Sequence, residues 1–214
     1  MLIHILQSET KDDIIGAGVD TVKYSFFAML SRMKYINRWA LMRNTQTENI
    51  CEHSHDVAVL AHALALLQNS RFGGDVDERV CVMLSVYHDA PEILTGDLPT
   101  PVKYDNPAIR EAYRQVETVS ANKLLSLLPR DMEAEYRRYL LPDANEMAEE
   151  LRIVKAADKL SALIKCIEEI KQGNREFVKA RQSTETALRN MKLPAVDCFL
   201  EEFLPSYELT LDEL

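Results

Sequence analysis

The sequence predicts an all-α fold in a single domain. Apolar residues recur three and four positions apart along most of the chain, and the apolar–polar alternation typical of strands is almost absent. The chain has 214 residues, 47% of them hydrophobic, which is enough for one sizeable core. No long or low-complexity linker interrupts the pattern, so we expect one domain.

The first three predicted helices are the most regular. Apolar residues keep helical spacing over 24–36, over 50–68 and over 79–94. Paired glycines at 73–74 separate the second helix from the third, and a segment with three prolines, 95–107, follows the third. The boundaries of these helices are therefore marked by residues that favour turns.

The remaining predicted helices fill the C-terminal half of the chain. Gly173 ends the longest of them, because glycine readily adopts the left-handed conformation that closes a helix. These helices are predicted at 107–128, 133–140, 146–172, 175–191 and 195–203.

The composition argues against several classes of protein. A formal net charge of −9 and a pI of about 5.1 oppose binding to a nucleic-acid polymer, which draws on clustered Lys and Arg. No apolar run approaches the ~18 residues of a membrane span, and the N-terminus lacks the basic start and long apolar stretch of a secretory signal. We therefore expect a cytoplasmic protein that does not contact a membrane.

The cysteines are scattered and form no Cys-x-x-Cys pair. Cys51, Cys81, Cys166 and Cys198 each lie in a segment predicted to be helical. A chain of this size does not need disulfides, so we interpret them as reduced, mostly buried thiols. Any metal ligands must then come from other residue types.

Ionisable residues occupy the apolar faces of three predicted helices. His53 lies on the apolar stripe of the second helix, and His88 and Asp89 end the third in the segment "YHDAPE". Asp158 has small or apolar neighbours four positions away on either side. Because an unpaired buried carboxylate costs several kcal/mol, these groups must reach water, a partner or a cation.

Each of these residues alone has an ordinary structural explanation. A core-facing histidine such as His53 is more often satisfied by a backbone carbonyl, and a His-Asp dipeptide arises often by chance. Asp158 has Lys155 and Lys159 close by for pairing. Together, however, two histidines and two aspartates from separate helices are a complete ligand set for a divalent cation, with positions left open for water.

This arrangement resembles the H…HD…D signature of the HD-domain metal-dependent phosphohydrolases, an all-helical superfamily. Three longer segments are similar to its bacterial 5′-deoxynucleotidases: "INRWALMRNTQTENICEHSHDVAVLAHALA", "YHDAPEILTGDLPTPVKY" and "KAADKLSALIKCIEEI", the last followed by "GNREF". The resemblance covers 24–214, which we expect to form a single HD-domain helical bundle. Residues 1–23 have no counterpart and are assigned to an N-terminal extension of unknown role.

The resemblance implies a metal-dependent phosphomonoesterase that converts deoxyribonucleoside 5′-monophosphates to deoxyribonucleosides and phosphate. Arg38 would orient the phosphate. Glu92 would orient or deprotonate the attacking water, and Asp97 would deliver a proton to the leaving 5′ oxygen or hold the sugar, with the division between the two left open. From the residues alone, Arg38 would lie at the surface. Glu92 would form a salt bridge at a helix end, and the side chain of Asp97 would stabilise a turn. The implied metal ligands are His53, His88, Asp89 and Asp158.

The resemblance also implies substrate contacts. Trp39 would pack on the sugar and leave a 2′ hydroxyl without a polar partner, although this single tryptophan would equally suit a core. Lys103 is interpreted as a surface or packing residue that lies close enough in sequence to support the phosphate. The implied substrate-binding residues are Arg38, Trp39, His53, Asp89, Asp97, Leu98, Pro99, Thr100 and Asp158.

Other functions stay open at this level. A different HD-domain phosphohydrolase would act on nucleoside triphosphates or cyclic nucleotides, and a catalytically silent module would bind nucleotide without turnover. The silent module predicts a missing ligand, whereas all four are present.

The expected cofactor is a divalent ion of the Co, Mn, Zn or Cu type, since these ions all accept histidine and aspartate. The resemblance further implies a homodimer.

Overall fold

The computed structural model describes residues 23–103 and 106–214. Within them no strand forms, and an isolated bridge pairs Asn37 with Asn49. Residues 1–22, nearly all of the proposed N-terminal extension, lie outside this description. Short 3-10 segments occupy Ser31–Tyr35, Arg175–Phe177, Leu204–Glu208 and Leu211–Glu213. The α-helices are α1 (Phe26–Leu30), α2 (Ile50–Phe72), α3 (Glu78–Tyr87), α4 (Glu92–Thr95), α5 (Thr100–Lys103), α6 (Pro107–Leu125), α7 (Arg130–Leu140), α8 (Ala148–Lys171), α9 (Val178–Asn190) and α10 (Pro194–Glu202).

Polar caps set where the central helices begin. The Asn49 side chain accepts from the backbone N–H groups of Cys51 and Glu52, and the Glu52 side chain accepts from the Asn49 N–H at 3.2 Å. The Asp77 side chain caps α3 by accepting hydrogen bonds from the backbone N–H groups of Arg79 and Val80. Helix α2 ends at Gly73, whose φ of 67° is left-handed. The break at the paired glycines is therefore confirmed.

The third predicted helix is divided in the structure. The sequence predicts one helix over 79–94, whereas α3 ends at Tyr87 and α4 begins at Glu92. Pro91 explains the difference, because proline has no N–H and its ring clashes with the carbonyl four residues earlier, which is that of Tyr87. The chain makes tight turns over 88–91 instead, and this irregular segment carries the His-Asp pair.

Helices α2, α3 and α8 pack against one another at the centre of the main hydrophobic core. Val57, Leu64 and Leu84 from the first two helices are buried against Ala157 and Leu160 of α8. This packing is close and involves small side chains, so it leaves the helices little freedom to slide. The packing of the core therefore fixes the distance between polar groups on the facing sides of these helices.

A second, smaller cluster joins α1, α6 and α7. Phe26, Leu124 and Leu140 are buried in it, together with Ile50 from the start of α2. Ala90 belongs to the same cluster and is completely buried. Because Ala90 directly follows the His-Asp pair, its burial anchors the turn that carries these two side chains.

The cysteines are free thiols. Cys81, Cys166 and Cys198 are buried and Cys51 is exposed, in agreement with the prediction of reduced, mostly buried thiols. Among the helices of the described residues, none is both long and apolar enough to cross a membrane.

Candidate active site

The structure brings the four predicted metal ligands together from separate elements. His53 lies on α2, His88 and Asp89 follow α3, and Asp158 lies on α8. Asp89 Oδ2 is 3.6 Å from His53 Nε2 and 3.3 Å from His88 Nε2. Asp158 Oδ1 is 3.1 Å from His53 Nε2. His53, His88 and Asp89 thus each offer a ligand atom within 4.8 Å of the other two, and Asp158 lies beside this group next to His53.

The two histidines are oriented by their other ring nitrogens. His88 Nδ1 lies 2.7 Å from the Ser85 carbonyl oxygen, which only accepts, so Nδ1 carries the hydrogen. His53 Nδ1 lies 3.1 Å from the Ser161 hydroxyl oxygen. Both Nε2 atoms are buried and lie 3.1–3.6 Å from carboxylate oxygens, but in the described part of the chain neither meets the geometry of a hydrogen bond. Buried nitrogens that face two carboxylates in this way fit the ligand set of a divalent metal ion.

The electrostatics of the cluster also favour a cation. Burial alone would raise the pKa of Asp158, but the adjacent His53 ring outweighs it and holds the pKa at about 2. Against the same effect of burial, His88 holds the pKa of Asp89 well below its usual range. Burial would lower the pKa of His88, but Asp89 raises it to about 9. A divalent ion would displace the proton that His88 otherwise carries.

Arg38 and Trp39 are held by a single carboxylate oxygen. Glu48 Oε2 accepts from Arg38 Nη1 at 2.7 Å and from Trp39 Nε1 at 2.8 Å. Arg38 Nη2 lies 4.0 Å from Asp158 Oδ1, so the guanidinium faces the ligand cluster. The Arg38 side chain is only 12% exposed, so it is not the surface residue that the composition alone suggests.

Trp39 lies at the cavity in an unusual backbone conformation. Its φ of 61° is left-handed, which costs a non-glycine residue about 1 kcal/mol or more. The indole packs on Phe177 with ring centroids 5.3 Å apart, and the Trp39 carbonyl accepts from the Met42 N–H at 2.9 Å. Trp39 is therefore both a packing residue and part of the cavity wall.

The loop that follows Trp39 is tied to α8 by Glu169. Glu169 is 1% exposed and accepts from the backbone N–H groups of Thr45 and Gln46 at 2.9 and 3.2 Å. Lys165 donates to the same carboxylate at 2.6 Å, and Asn174 donates to it at 2.7 Å. This buried, fully bonded carboxylate fixes the loop on the helix that also carries Asp158.

Glu92 and Asp97 share one cation, Lys103. The Lys103 ammonium donates to Glu92 Oε1 at 2.5 Å and lies 3.4 Å from Asp97 Oδ1. The salt bridge expected as the ordinary explanation of Glu92 is therefore present, although both carboxylates also line the cavity. Burial, together with the charge of Asp89, raises the pKa of Glu92 to about 8 despite Lys103.

A cavity of about 880 Å³ lies beside these residues, and its lining includes Arg38, Trp39, Asp89, Glu92, Asp97 and Asp158. Leu98 and Pro99 line it beside Asp97, and Thr100 begins helix α5 immediately after them. The lining also includes Lys155 and other residues of α8 and α9. The cavity is large enough for a mononucleotide. Side chains that the sequence predicts to contact metal, phosphate and sugar thus lie around a single space.

The sequence analysis does not predict several residues of this site. Glu48, Ser161 and Glu169 each hold a predicted site residue or its loop, and Lys103 is half-buried between two carboxylates rather than at the surface. Glu48 and Glu169 could have been predicted from their neighbours in sequence. Both lie among apolar or helix-capping residues, where a charged side chain needs a partner. Ser161 carries a usable signal as well, since it lies three residues after Asp158 on the same helical face.

Sequence comparison identifies the family of this chain. The sequence profile described as "5′-deoxynucleotidase YfbR-like" matches residues 25–207. A 5′-deoxynucleotidase of Vibrio vulnificus is 47% identical over 189 residues, which cover 88% of this chain and 97% of that protein. A 5′-deoxynucleotidase of Yersinia pseudotuberculosis is also 47% identical, covering 88% of this chain and 95% of its own length.

Solved structures agree with the sequence comparison. An HD-domain phosphohydrolase from Listeria innocua has a TM-score of 0.74 at 28% identity, covering 86% of this chain and 88% of that one. A cyanophage S-2L HD phosphohydrolase, solved with dA and one catalytic Zn²⁺ ion, has a TM-score of 0.59 at 18% identity, covering 84% and 96%, and shows likeness of fold alone. The predicted HD-domain fold is confirmed, and the chain belongs to the YfbR-like 5′-deoxynucleotidase family.

Proposed function

We propose that this protein is a metal-dependent phosphomonoesterase that hydrolyses deoxyribonucleoside 5′-monophosphates to deoxyribonucleosides and phosphate. The observation that carries the proposal is the pair of buried Nε2 atoms of His53 and His88, which face two carboxylates and make no well-formed hydrogen bond within the described residues, beside a cavity lined by Arg38. The names of the relatives, which are 47% identical over most of the chain, support the same activity.

His53, His88, Asp89 and Asp158 would hold the divalent ion. Such an ion supplies Lewis acidity at the phosphoryl group and makes a nearby water more acidic. Its identity is proposed from the donors alone as Co, Mn, Zn or Cu, because imidazole and carboxylate suit all of these. The protein residues around the ion then position the phosphate, accept a proton and exclude competing substrates.

Arg38 would bind the phosphate oxygens and orient the ester for attack by water on the side opposite the leaving 5′ oxygen. Glu92 would accept a proton from the attacking water. Asp97 would deliver a proton to the 5′ oxygen as the P–O5′ bond breaks, or would hold the sugar. When Asp97 supplies that proton, the products are a free 5′ hydroxyl and inorganic phosphate, with the proton of the water left on Glu92.

The deoxyribose preference would come from apolar walls. We propose that Trp39 packs on the sugar while Leu98, Pro99 and Thr100 contact it from the segment that follows Asp97 and leads into α5. A 2′ hydroxyl placed against the indole and the loop would lose its hydrogen bonds to water without gaining a partner. None of these contacts reads the base, which is consistent with use of several deoxynucleotides.

The homodimer and the cytoplasmic location stay predictions from the resemblance and the composition. Exposed apolar side chains near the C-terminus, among them Phe203 at 40% and Leu211 at 88%, are suited to an interface. We also propose that 24–214 act as one HD phosphohydrolase domain and that 1–23 are an extension to it. Sedimentation of the purified protein tests the dimer directly.

The function is tested by phosphate release from dAMP, dTMP, AMP and ATP. Metal-stripped protein is resupplied with Co, Mn, Mg or Zn, and Asp89→Ala serves as the control. Metal-dependent release from the deoxy monophosphates that disappears in the variant is the expected result. Activity on ATP alone would indicate another HD-domain phosphohydrolase, and no activity with any metal would indicate a silent binding module.

A further inference from the structure

An ammonium group lies between the two carboxylates proposed for proton transfer. Lys103 Nζ is 2.5 Å from Glu92 Oε1 and 3.4 Å from Asp97 Oδ1, and it lies 5.3 Å from the centroid of the Tyr113 ring. The Lys103 side chain is only 17% exposed. Across the described residues, neither carboxylate has another ion-pair partner. Lys103 is therefore the contact that these two side chains have in common.

The two oxygens of Glu92 have different surroundings. Oε1 accepts from Lys103, whereas Oε2 is buried and has no hydrogen-bond partner in the described part of the chain. The residue as a whole is 3% exposed. A buried carboxylate oxygen without a donor is costly, so Oε2 is the atom on which an external donor such as water would bind.

We infer that Lys103 is a positioning residue that anchors Glu92 by one oxygen so that the other faces the attacking water. The inference rests on the proposed function and deepens it, because it separates the roles of Glu92 and Asp97. Glu92 is held closely and has one free oxygen, as a proton acceptor requires. Asp97 is held more loosely, and its side chain is 18% exposed, which suits contact with the leaving group or the sugar.

The same geometry argues against Lys103 as the principal phosphate ligand. Its charge is already offset by two carboxylates, so it attracts an anion weakly. Lys155 and Lys159 line the same cavity, and no described residue forms an ion pair with either of them. A phosphate contact would predict an effect on substrate binding, whereas a positioning role predicts an effect on the chemical step.

The first test is Lys103→Met in the metal-loaded protein, assayed with dAMP. The kcat is expected to fall roughly 10- to 100-fold, as a misplaced catalytic group does, while KM changes by less than about threefold. Lys103→Arg, which keeps the charge, should recover part of the loss. Lys123→Met is the matched control, since Lys123 is exposed and does not line the cavity. Metal content and thermal unfolding of each variant show that the fold is retained.

A double-mutant comparison decides whether Lys103 acts through Glu92. In a Glu92→Gln background, Lys103→Met should lower kcat by less than about threefold further, because the group it positions is already disabled. A second loss as large as the first would overturn the inference, and so would a rise in KM at unchanged kcat or a wild-type kcat in Lys103→Met. In each of these cases the wild-type protein still hydrolyses dAMP and the proposed function stands; an inactive wild type would remove both.

Discussion

Glu48 illustrates how one side chain organises others in this site. Its Oε2 atom accepts from the guanidinium of Arg38 and from the indole N–H of Trp39. The Glu48 side chain is 12% exposed, so little water competes with these bonds. The groups proposed to bind phosphate and sugar are consequently held as one unit, although Glu48 itself contacts neither.

Glu48→Gln should weaken this unit. The amide keeps one acceptor but loses the charge that pairs with Arg38, so we expect kcat/KM for dAMP to fall by about tenfold and the preference for dAMP over AMP to shrink. Steady-state kinetics on both substrates measures the two effects. Glu146→Gln, at an exposed position, is the matched control. Unchanged discrimination in Glu48→Gln would contradict the proposed linkage to Trp39.

At the scale of secondary-structure elements, α8 supports the site twice. It carries Asp158 on the face toward α2, and one turn beyond Lys165 it carries Glu169, which binds the loop at 45–46. Burial would raise the pKa of Glu169, but Lys165, Thr45 and Asn174 outweigh it and lower the pKa to about 2. The ionised carboxylate is therefore a stabilising contact between α8 and the loop.

Glu169→Gln should lower the free energy of unfolding by about 3 kcal/mol at pH 7, since it leaves Lys165 buried without its counter-charge. The folded-state pKa lies below the unfolded value, so the stabilisation is present above about pH 5 and is lost as the pH falls toward 2. Urea unfolding of both proteins at pH 7 and pH 3 measures this. If the difference in the free energy of unfolding between the two proteins is as large at pH 3 as at pH 7, the electrostatic explanation is wrong.

At the scale of the whole molecule, the candidate metal site connects three parts of the main core. Its ligands come from α2, from the turn after α3 and from α8, which pack on one another. In the unfolded chain these ligands would be far apart. An ion that binds only the folded arrangement therefore stabilises the fold as a whole.

Removal of the metal by a chelator should lower Tm by several degrees. At a free ion concentration of 100 times Kd the stabilisation is about 2.7 kcal/mol, which for a chain of this size corresponds to roughly 5–10 °C. Resupply of the ion should raise Tm in a concentration-dependent way. In Asp158→Ala, most of the rise in Tm on adding the ion should disappear. A rise in Tm equal to that of the wild type would mean that the ion binds elsewhere.

The helices of the core and the four ligand candidates were predictable from the sequence, because residue type and helical spacing are local properties. The apolar stripe of α2 predicts that His53 faces the core, and this side chain is completely buried in the structure. The division of the third helix was not predicted, although Pro91 carried its signal, because the apolar pattern continues through the proline. The apolar spacing favours one continuous helix, whereas the backbone breaks at the proline.

The sequence by itself therefore determined the all-α fold and the residue types available for metal and phosphate chemistry. Only the tertiary structure decided which polar residues support them. Arg38 and Glu48 are 10 positions apart and Thr45 and Glu169 are 124 apart, and no periodicity connects such pairs. Their partnership arises when the packing of the helices buries both members and each must find a hydrogen bond.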